Sequence, residues 1–269
     1  MKHIIIVIVW LFVPFFITKG ESISDIRQLF DSIKECRIDS IKIELNKKLS
    51  NRIDSLLQDP TSFNHSFDSL PYLGKIYSDD HLVKIYTWSF PLEDKTFQYG
   101  GFIQYNSKGK ITTTPLIIPS MPQLPPEDKK IDAKHWYGAL YYKILKVKKK
   151  RETYYIALGW SGLNAATDFK VIEPLQFSKN GQLQSMGKMV FKETGKKACH
   201  RIVMEYNSEG KVTLDYNSHE ELIIFDHLSP IEPIYTGIRS YYGPDFTYDA
   251  FKLKKGDWYF IENIDARNR

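Results

Sequence analysis

Three short turns constrain the fold of this chain more tightly than any other feature: Tyr105-Asn-Ser-Lys-Gly109-Lys110, Phe177-Ser-Lys-Asn-Gly181-Gln182 and Tyr206-Asn-Ser-Glu-Gly210-Lys211. Each places glycine at the fourth loop position, where a left-handed backbone is needed, among Asn and Ser residues that hydrogen-bond their own backbone. Turns of this kind fold a strand back on itself as an antiparallel hairpin. Parallel crossovers, by contrast, need a dozen or more residues, usually a helix. After Tyr72 the chain runs in short β-branched and aromatic stretches between Gly, Asn and Ser, with no second long stretch of helical period. Strands are predicted at 82–89, 98–105, 110–117, 136–147, 153–158, 170–177, 189–191, 201–206, 211–217, 221–225, 250–254 and 257–262. The expected fold is mainly β (α+β): an antiparallel β meander forming a sandwich or barrel-like sheet, with a long N-terminal amphipathic helix. Two of the turns begin Tyr-Asn-Ser, but no constant period marks an internal repeat.

The helix is expected over 23–58, broken at most once. There Ile26, Phe30, Ile33, Ile41, Leu45, Leu49, Ile53 and Leu56 recur every three or four residues, the period of one helix face. Ser22 followed by Asp25 supplies a start, and Asp59-Pro60 supplies a stop. Lys34, Lys42, Lys47, Lys48 and Arg52 lie opposite the stripe and read as a solvated face. Farther on, Pro115, Pro119, Pro122, Pro125 and Pro126 mark 112–127 as an extended strap, a connector inside the β-rich region. The basic run 146–151 reads as a solvated hairpin tip.

Ahead of the helix, Met1-Lys2-His3, the apolar stretch 4–17 and Thr18-Lys19-Gly20 have the shape of an export signal cleaved near Gly20. The apolar segment is shorter than the ~20 residues a spanning helix needs and contains Pro14. The first cysteine is Cys36, so the thiol that a lipoprotein anchor requires is missing from the end of that segment. The chain therefore divides into a signal peptide (1–20), a helical segment (21–60) and a β-rich domain (61–269). The mature protein is expected in the periplasm, outside the cell or at the envelope, with no stable transmembrane segment after cleavage. Removing 1–20 takes away Lys2 and Lys19 and no acid, lowering the formal charge from +5 to +3. So balanced a chain carries no field suited to nucleic acid. With 42% hydrophobic and 14% aromatic residues it can bury a full core. In an oxidising compartment its two cysteines leave a Cys36–Cys199 disulfide open, with two buried thiols as the alternative.

No chemical motif is complete, and no cofactor or metal is implied. Gly159-Trp160-Ser161-Gly162-Leu163 starts like a nucleophile elbow, but Leu163 stands where the second glycine should be, and a β-turn beside a packed Trp160 accounts for it. His219-Glu220-Glu221-Leu222-Ile223 opens like a zinc helix and lacks the second histidine. Cys199 and His200 are strand neighbours pointing to opposite faces. The segment 241–251 is the densest cluster of aromatics and carboxylates, with Asp226, His227, Asp257, Glu262 and Asp265 on nearby stretches. Paired carboxylates suit glycoside hydrolysis, oxygen-rich loops suit calcium, and aromatics flanked by acids suit sugars. Against these, Gly243-Pro244-Asp245 reads as a turn, with Asp245 and Asp249 capping local amides.

The blocks Ala157-Leu-Gly-Trp160-Ser-Gly162, Phe225-Asp-His-Leu-Ser-Pro230 and Tyr242-Gly-Pro-Asp245-Phe-Thr-Tyr-Asp249, with Trp258 and the ending 262–268, resemble a group of uncharacterised exported proteins of Bacteroidetes-type bacteria. The resemblance covers roughly residues 75–268 and implies an envelope location; the group brings no activity, cofactor or catalytic residue with it. The expected protein is an exported, non-catalytic binding or envelope-associated module that recognises a glycan or an envelope protein. Its candidate binding residues are Trp160, Asp168, Asp226, Asp245 and Asp249. The alternative is a hydrolase of envelope or dietary polysaccharide, with Asp245 and Asp249 or Asp226 as acid and base. A third expectation has the long helix docking into a partner.

Overall fold

The computed structural model describes residues 23–119 and 123–265; the stretch 1–20 that reads as an export signal, Ser22, Pro122 and the last residues of the 262–268 ending lie outside the described residues. The helical segment is broken once, into α1 (Ile23–Glu35) and α2 (Asp39–Gln58). The break resets the apolar register. Ile26, Phe30 and Ile33 are buried on α1, whereas on α2 the buried set is Leu49, Ile53 and Leu57, leaving Leu56 at its margin and Ile41 exposed. Among the described residues no helix is long and apolar enough to cross a membrane.

The strands are β1 (Gly74–Tyr77), β2 (Val83–Pro91), β3 (Phe97–Ser107), β4 (Lys110–Leu116), β5 (Leu140–Lys149), β6 (Glu152–Gly162), β7 (Thr167–Phe177), β8 (Leu183–Met186), β9 (Phe191–Lys192), β10 (Ile202–Asn207), β11 (Leu214–Asn217), β12 (Leu222–Pro230), β13 (Tyr242–Lys254) and β14 (Asp257–Ile261). They form a mainly antiparallel β fold, as expected, in three sheets ordered β1-β2-β3-β4, β5-β6-β7-β10 and β11-β12-β13-β14-β9. A short strand, β8, shares the β10 edge of β7, and β9 joins β14 in parallel.

Strand alternation stacks these sheets. On β6, Tyr155 and Ala157 face the first sheet, meeting Val83, Ile85 and Ile103, while Tyr154, Ile156 and Leu158 face the third, meeting Ile223, Phe225, Phe251 and Trp258. The first sheet is likewise covered on its far side, where Tyr86, Trp88 and Phe102 receive Phe30, Leu49 and Ile53 of the helices. The order is helices, first sheet, second sheet, third sheet. Gly100 is needed for that packing, because a Cβ there would lie 2.0 Å from the Trp88 ring.

Two of the three diagnostic turns close hairpins: Lys108 and Gly109 join β3 to β4 at φ +53° and +90°, and Gly181 (φ +83°) turns β7 into β8. The third does not. Gly210 is not left-handed, and after Asn207 the chain leaves the second sheet to begin β11 in the third. Gly159-Trp160-Ser161-Gly162 is not a turn either; it completes β6 opposite 168–171, with Ser161 fully buried and donating to the Tyr99 hydroxyl at 3.2 Å. The strap starts later than expected, since Pro115 belongs to β4 opposite Phe102, which proline tolerates because β4 is an edge strand. Gly243-Pro244-Asp245 is strand rather than turn; Pro244 faces Leu228, and β14 pairs only 250–254, so its missing N–H faces an open edge. Both cysteines are free. Cys36 follows α1 on the outer helical layer, whereas Cys199 packs on the core between the second and third sheets, so two sheets separate the thiols and no bridge forms.

One buried ion pair ties the strap to the stack. Arg201, just before β10, and Glu173 on β7 are both fully buried, with Nε donating to Oε2 at 2.8 Å and the Tyr137 hydroxyl donating to the same oxygen at 2.9 Å. The guanidinium also donates to the carbonyls of Pro126, Lys129 (2.8 Å) and Met186 (3.0 Å), and His200 N–H donates to the Glu127 carbonyl at 2.7 Å. Removing one partner of such a pair strands the other charge. We expect Arg201→Met to destabilise the fold by about 3–5 kcal/mol. Adding Glu173→Leu should recover part of that loss and leave a deficit of roughly 1–3 kcal/mol for the lost carbonyl contacts. Urea midpoints at constant slope check both values.

Candidate functional site

The strap, β10 and β12 enclose a cleft of about 570 Å³, within the usual range for a ligand site. Its floor is β10 (Val203, Met204 and Glu205). One wall is 225–228 of β12 with Asp249 of β13, and the other is Leu124, Pro125, Glu127 and Asp128 of the strap and its end, with Arg239 also on the lining.

A bulge builds the β12 wall. Asp226 pairs with Tyr248 and Leu228 with Pro244, so the single residue His227 stands opposite the three residues 245–247. The alternation of faces fails here, and four consecutive residues, 225–228, reach the cleft. On the facing strand, the Asp245 carboxylate accepts from Thr247 N–H (3.1 Å) and Oγ1 (2.7 Å), closing a tight turn. Phe246 is pushed out at φ +69° and is 92% exposed.

His227 lies between two carboxylates. Its Nδ1 is 2.8 Å from Asp249 Oδ2 and its Nε2 is 3.9 Å from Asp245 Oδ2. Asp249 is buried, and its Oδ1 accepts from Asn263 N–H at 3.1 Å, so both its oxygens are engaged and the ring orientation is set. The hydrogen bond to Asp249 holds the His227 pKa above its ordinary value, against a smaller opposing effect of burial, with further help from the charges of Asp249 and Asp245. Burial pushes Asp245 up, but the Thr247 hydrogen bonds outweigh it, and the carboxyl ends below the usual range. The neutral ring keeps its proton on Nδ1, facing Asp249, and offers Nε2 as an acceptor; the protonated ring donates from Nε2.

Asp226, also buried, receives Thr213 N–H on Oδ2 at 2.6 Å and locks the approach to β11 against β12. Across the cleft, Glu127 accepts Val203 N–H on Oε1 at 2.7 Å, and burial raises its pKa. Asp128 and Glu205 also border the cleft. Arg239, whose guanidinium lies 4.4 Å over the Tyr242 ring, is the arginine on this lining, which bears no lysine. The cleft is therefore acidic.

The five residues singled out from sequence fall into two groups. Asp226 and Asp249 line the cleft, and Asp245 approaches it at His227. Trp160 and Asp168 are bonded to each other outside it, Nε1 to Oδ2 at 3.1 Å, with Phe97 edge-on to the indole. Burial raises the Asp168 pKa and lowers that of Lys170, which feels the charges of both Asp168 and Asp226. His227, Glu127 and Glu205 complete the cleft without having been singled out. His227 is noted beside Asp226 near the aromatic cluster but not taken as a candidate, since the predicted strand stops at 225; Glu127 closes a segment that reads as connector. His219 and Glu220 sit in the β11–β12 turn, both backbone N–H groups capped by Asn217 Oδ1. Among the described residues, no group of three or more His, Cys, Asp or Glu side chains is placed to hold a metal ion, and no Ser, Thr or Cys side chain is hydrogen-bonded to His227. The chain matches no family model, no curated protein and no solved structure.

The raised pKa of His227 sets a pH dependence. Proton binding favours the folded state, so the contribution is fully present below the ordinary value of 6.5 and is lost as pH rises through the higher folded value. We expect the wild-type advantage over His227→Gln in thermal melts to be larger at about pH 5.5 than at about pH 8.5. NMR titration of the ring should show Asp249→Asn moving its midpoint to lower pH.

Proposed function

We propose that this is an exported, envelope-associated binding protein that holds its ligand in the cleft between β10 and β12. The observation that carries this reading is the state of Asp226, His227 and Asp249. Their inward-facing hydrogen bonds are already made by Thr213 and Asn263 and between His227 and Asp249, leaving the imidazole Nε2 for a ligand. A site whose groups are held in advance loses little ordering entropy on binding. Support for export comes from the leader-like sequence 1–20 and the resemblance to exported Bacteroidetes-type proteins.

A hydrolytic reading has one specific observation in its favour, the His227–Asp249 pair, which is how a general base is oriented toward a water molecule. In that version the base is His227 rather than a carboxylate, because both Asp249 oxygens are committed. The test is to present peptidoglycan fragments, polysaccharides and fractionated envelope proteins to the purified protein while following the His227 ring by NMR. We expect a retained ligand to shift that signal, and His227→Gln to weaken retention about tenfold, equivalent to ~1.4 kcal/mol. Retention unchanged in His227→Gln would remove the cleft from consideration. Turnover of the retained polymer, abolished by His227→Gln in a folded protein, would convert the binding protein into an enzyme.

A further inference from the structure

Deepening the cleft reading, on which it rests, we propose that the ligand is an extended peptide segment carrying a lysine or arginine, which adds to the outer edge of β10 as a short antiparallel strand. β10 borders the second sheet, with β7 along one side and the cleft along the other. Val203 N–H points away from β7, since it donates to the Glu127 carboxylate. In an antiparallel ladder, backbone groups two residues apart point the same way, so the N–H and C=O of Glu205 also face the cleft. Both ends of this edge are already covered. Glu127 supplies a carboxylate where a partner strand would place a carbonyl, and at the far end Asn207 Nδ2 donates to the Ser240 carbonyl at 2.6 Å. Between those caps, Glu205 leaves one rung of the ladder without a partner among the described residues. A single peptide residue fills it with two main-chain hydrogen bonds, the way strand-adding recognition sites gain affinity.

Charge decides which peptide. Glu127, Asp128, Glu205, Asp226 and Asp249 line the cleft that the open rung faces, with Arg239, whose charge acts on Glu127, on the same lining and His227 shared with its own aspartates. A basic side chain two positions from the paired residue, or on it, meets complementary charge, while an acidic one is repelled.

The probe is a blocked pentapeptide with central lysine flanked by valine and threonine, titrated into the purified protein and followed at the Glu205 amide and the His227 ring by NMR. Companion probes are the same peptide with central glutamate, the same peptide N-methylated to remove its ladder donors, and a glucosamine oligomer. We expect the lysine peptide to move both signals, with the glutamate and N-methyl versions at least tenfold weaker. Glu205→Pro, which deletes the edge N–H at a position where β7 does not use it, should weaken the lysine peptide at least tenfold. Glu205→Lys, which keeps the N–H and reverses the charge, should weaken it as well should the proline variant fail to fold. An N-methyl peptide binding as tightly as the unmodified one overturns strand addition. So does a glucosamine oligomer that moves His227 while the lysine peptide does not; the cleft then remains the binding site for a glycan. Silence at His227 from every peptide overturns the proposal, and the cleft itself falls only when the glycan and envelope fractions are silent there too.

Discussion

The ion pair between Arg201 and Glu173 is the contact on which the cleft depends. It is made inside the stack, where neither group is exposed, and such a pair gives no assured gain in stability over well-packed apolar residues. What it does supply is direction. The five donors of a guanidinium have fixed geometry, and here one meets Glu173 while others reach the carbonyls of Pro126, Lys129 and Met186. A proline-rich segment has few N–H groups with which to join a sheet, so its carbonyls are its main means of attachment. Arg201 takes them. The strap is thereby held across the start of β10, and Glu127 is delivered to the edge it caps.

Held there, the strap covers part of a strand edge and stops. An open edge is a hazard because any unpaired strand can complete it. The chain blunts the hazard at both ends, with a carboxylate at Val203 and an asparagine contact at Asn207, and the cleft beside the remaining rung is lined mainly by acidic residues among its charged groups. A neutral or acidic strand gains little by approaching, so the charge that guards the edge also restricts what can enter.

The sequence showed the antiparallel class, the helical period and most strands, because hairpin chemistry and alternation are local. Two of its failures share one cause: they lie where contact with another layer overrides the local signal. Gly159–Gly162 carries turn-like residues and still completes β6, since Ser161 is sealed against Tyr99 of the first sheet. Gly210 has the composition of a hairpin and leads instead from one sheet to the next. Of the site, Asp226 and Asp249 were legible as carboxylates near an aromatic cluster. His227 was visible beside Asp226 but lay beyond the predicted strand 221–225, and its place in the cleft comes from a bulge that no local pattern announces. Glu127 could not be found from the sequence at all, because its role comes from Arg201, seventy-four positions away.

The stacking also explains why polar chemistry gathers where it does. Three sheets and a helical layer leave the second sheet covered on both faces, and the first sheet likewise, so the side chains on those faces are committed to packing. In such a structure, functional groups can meet solvent only through the outer layers, at strand edges, or where the pleat is interrupted. The cleft uses the last two together. β10 contributes an edge and β12 an interruption, and they meet because the chain crosses from the second sheet to the third between them, through the turn at Gly210. Converting that turn into a hairpin would bring the next strand onto the outer side of β10, fill the rung at Glu205, and close the cleft from within.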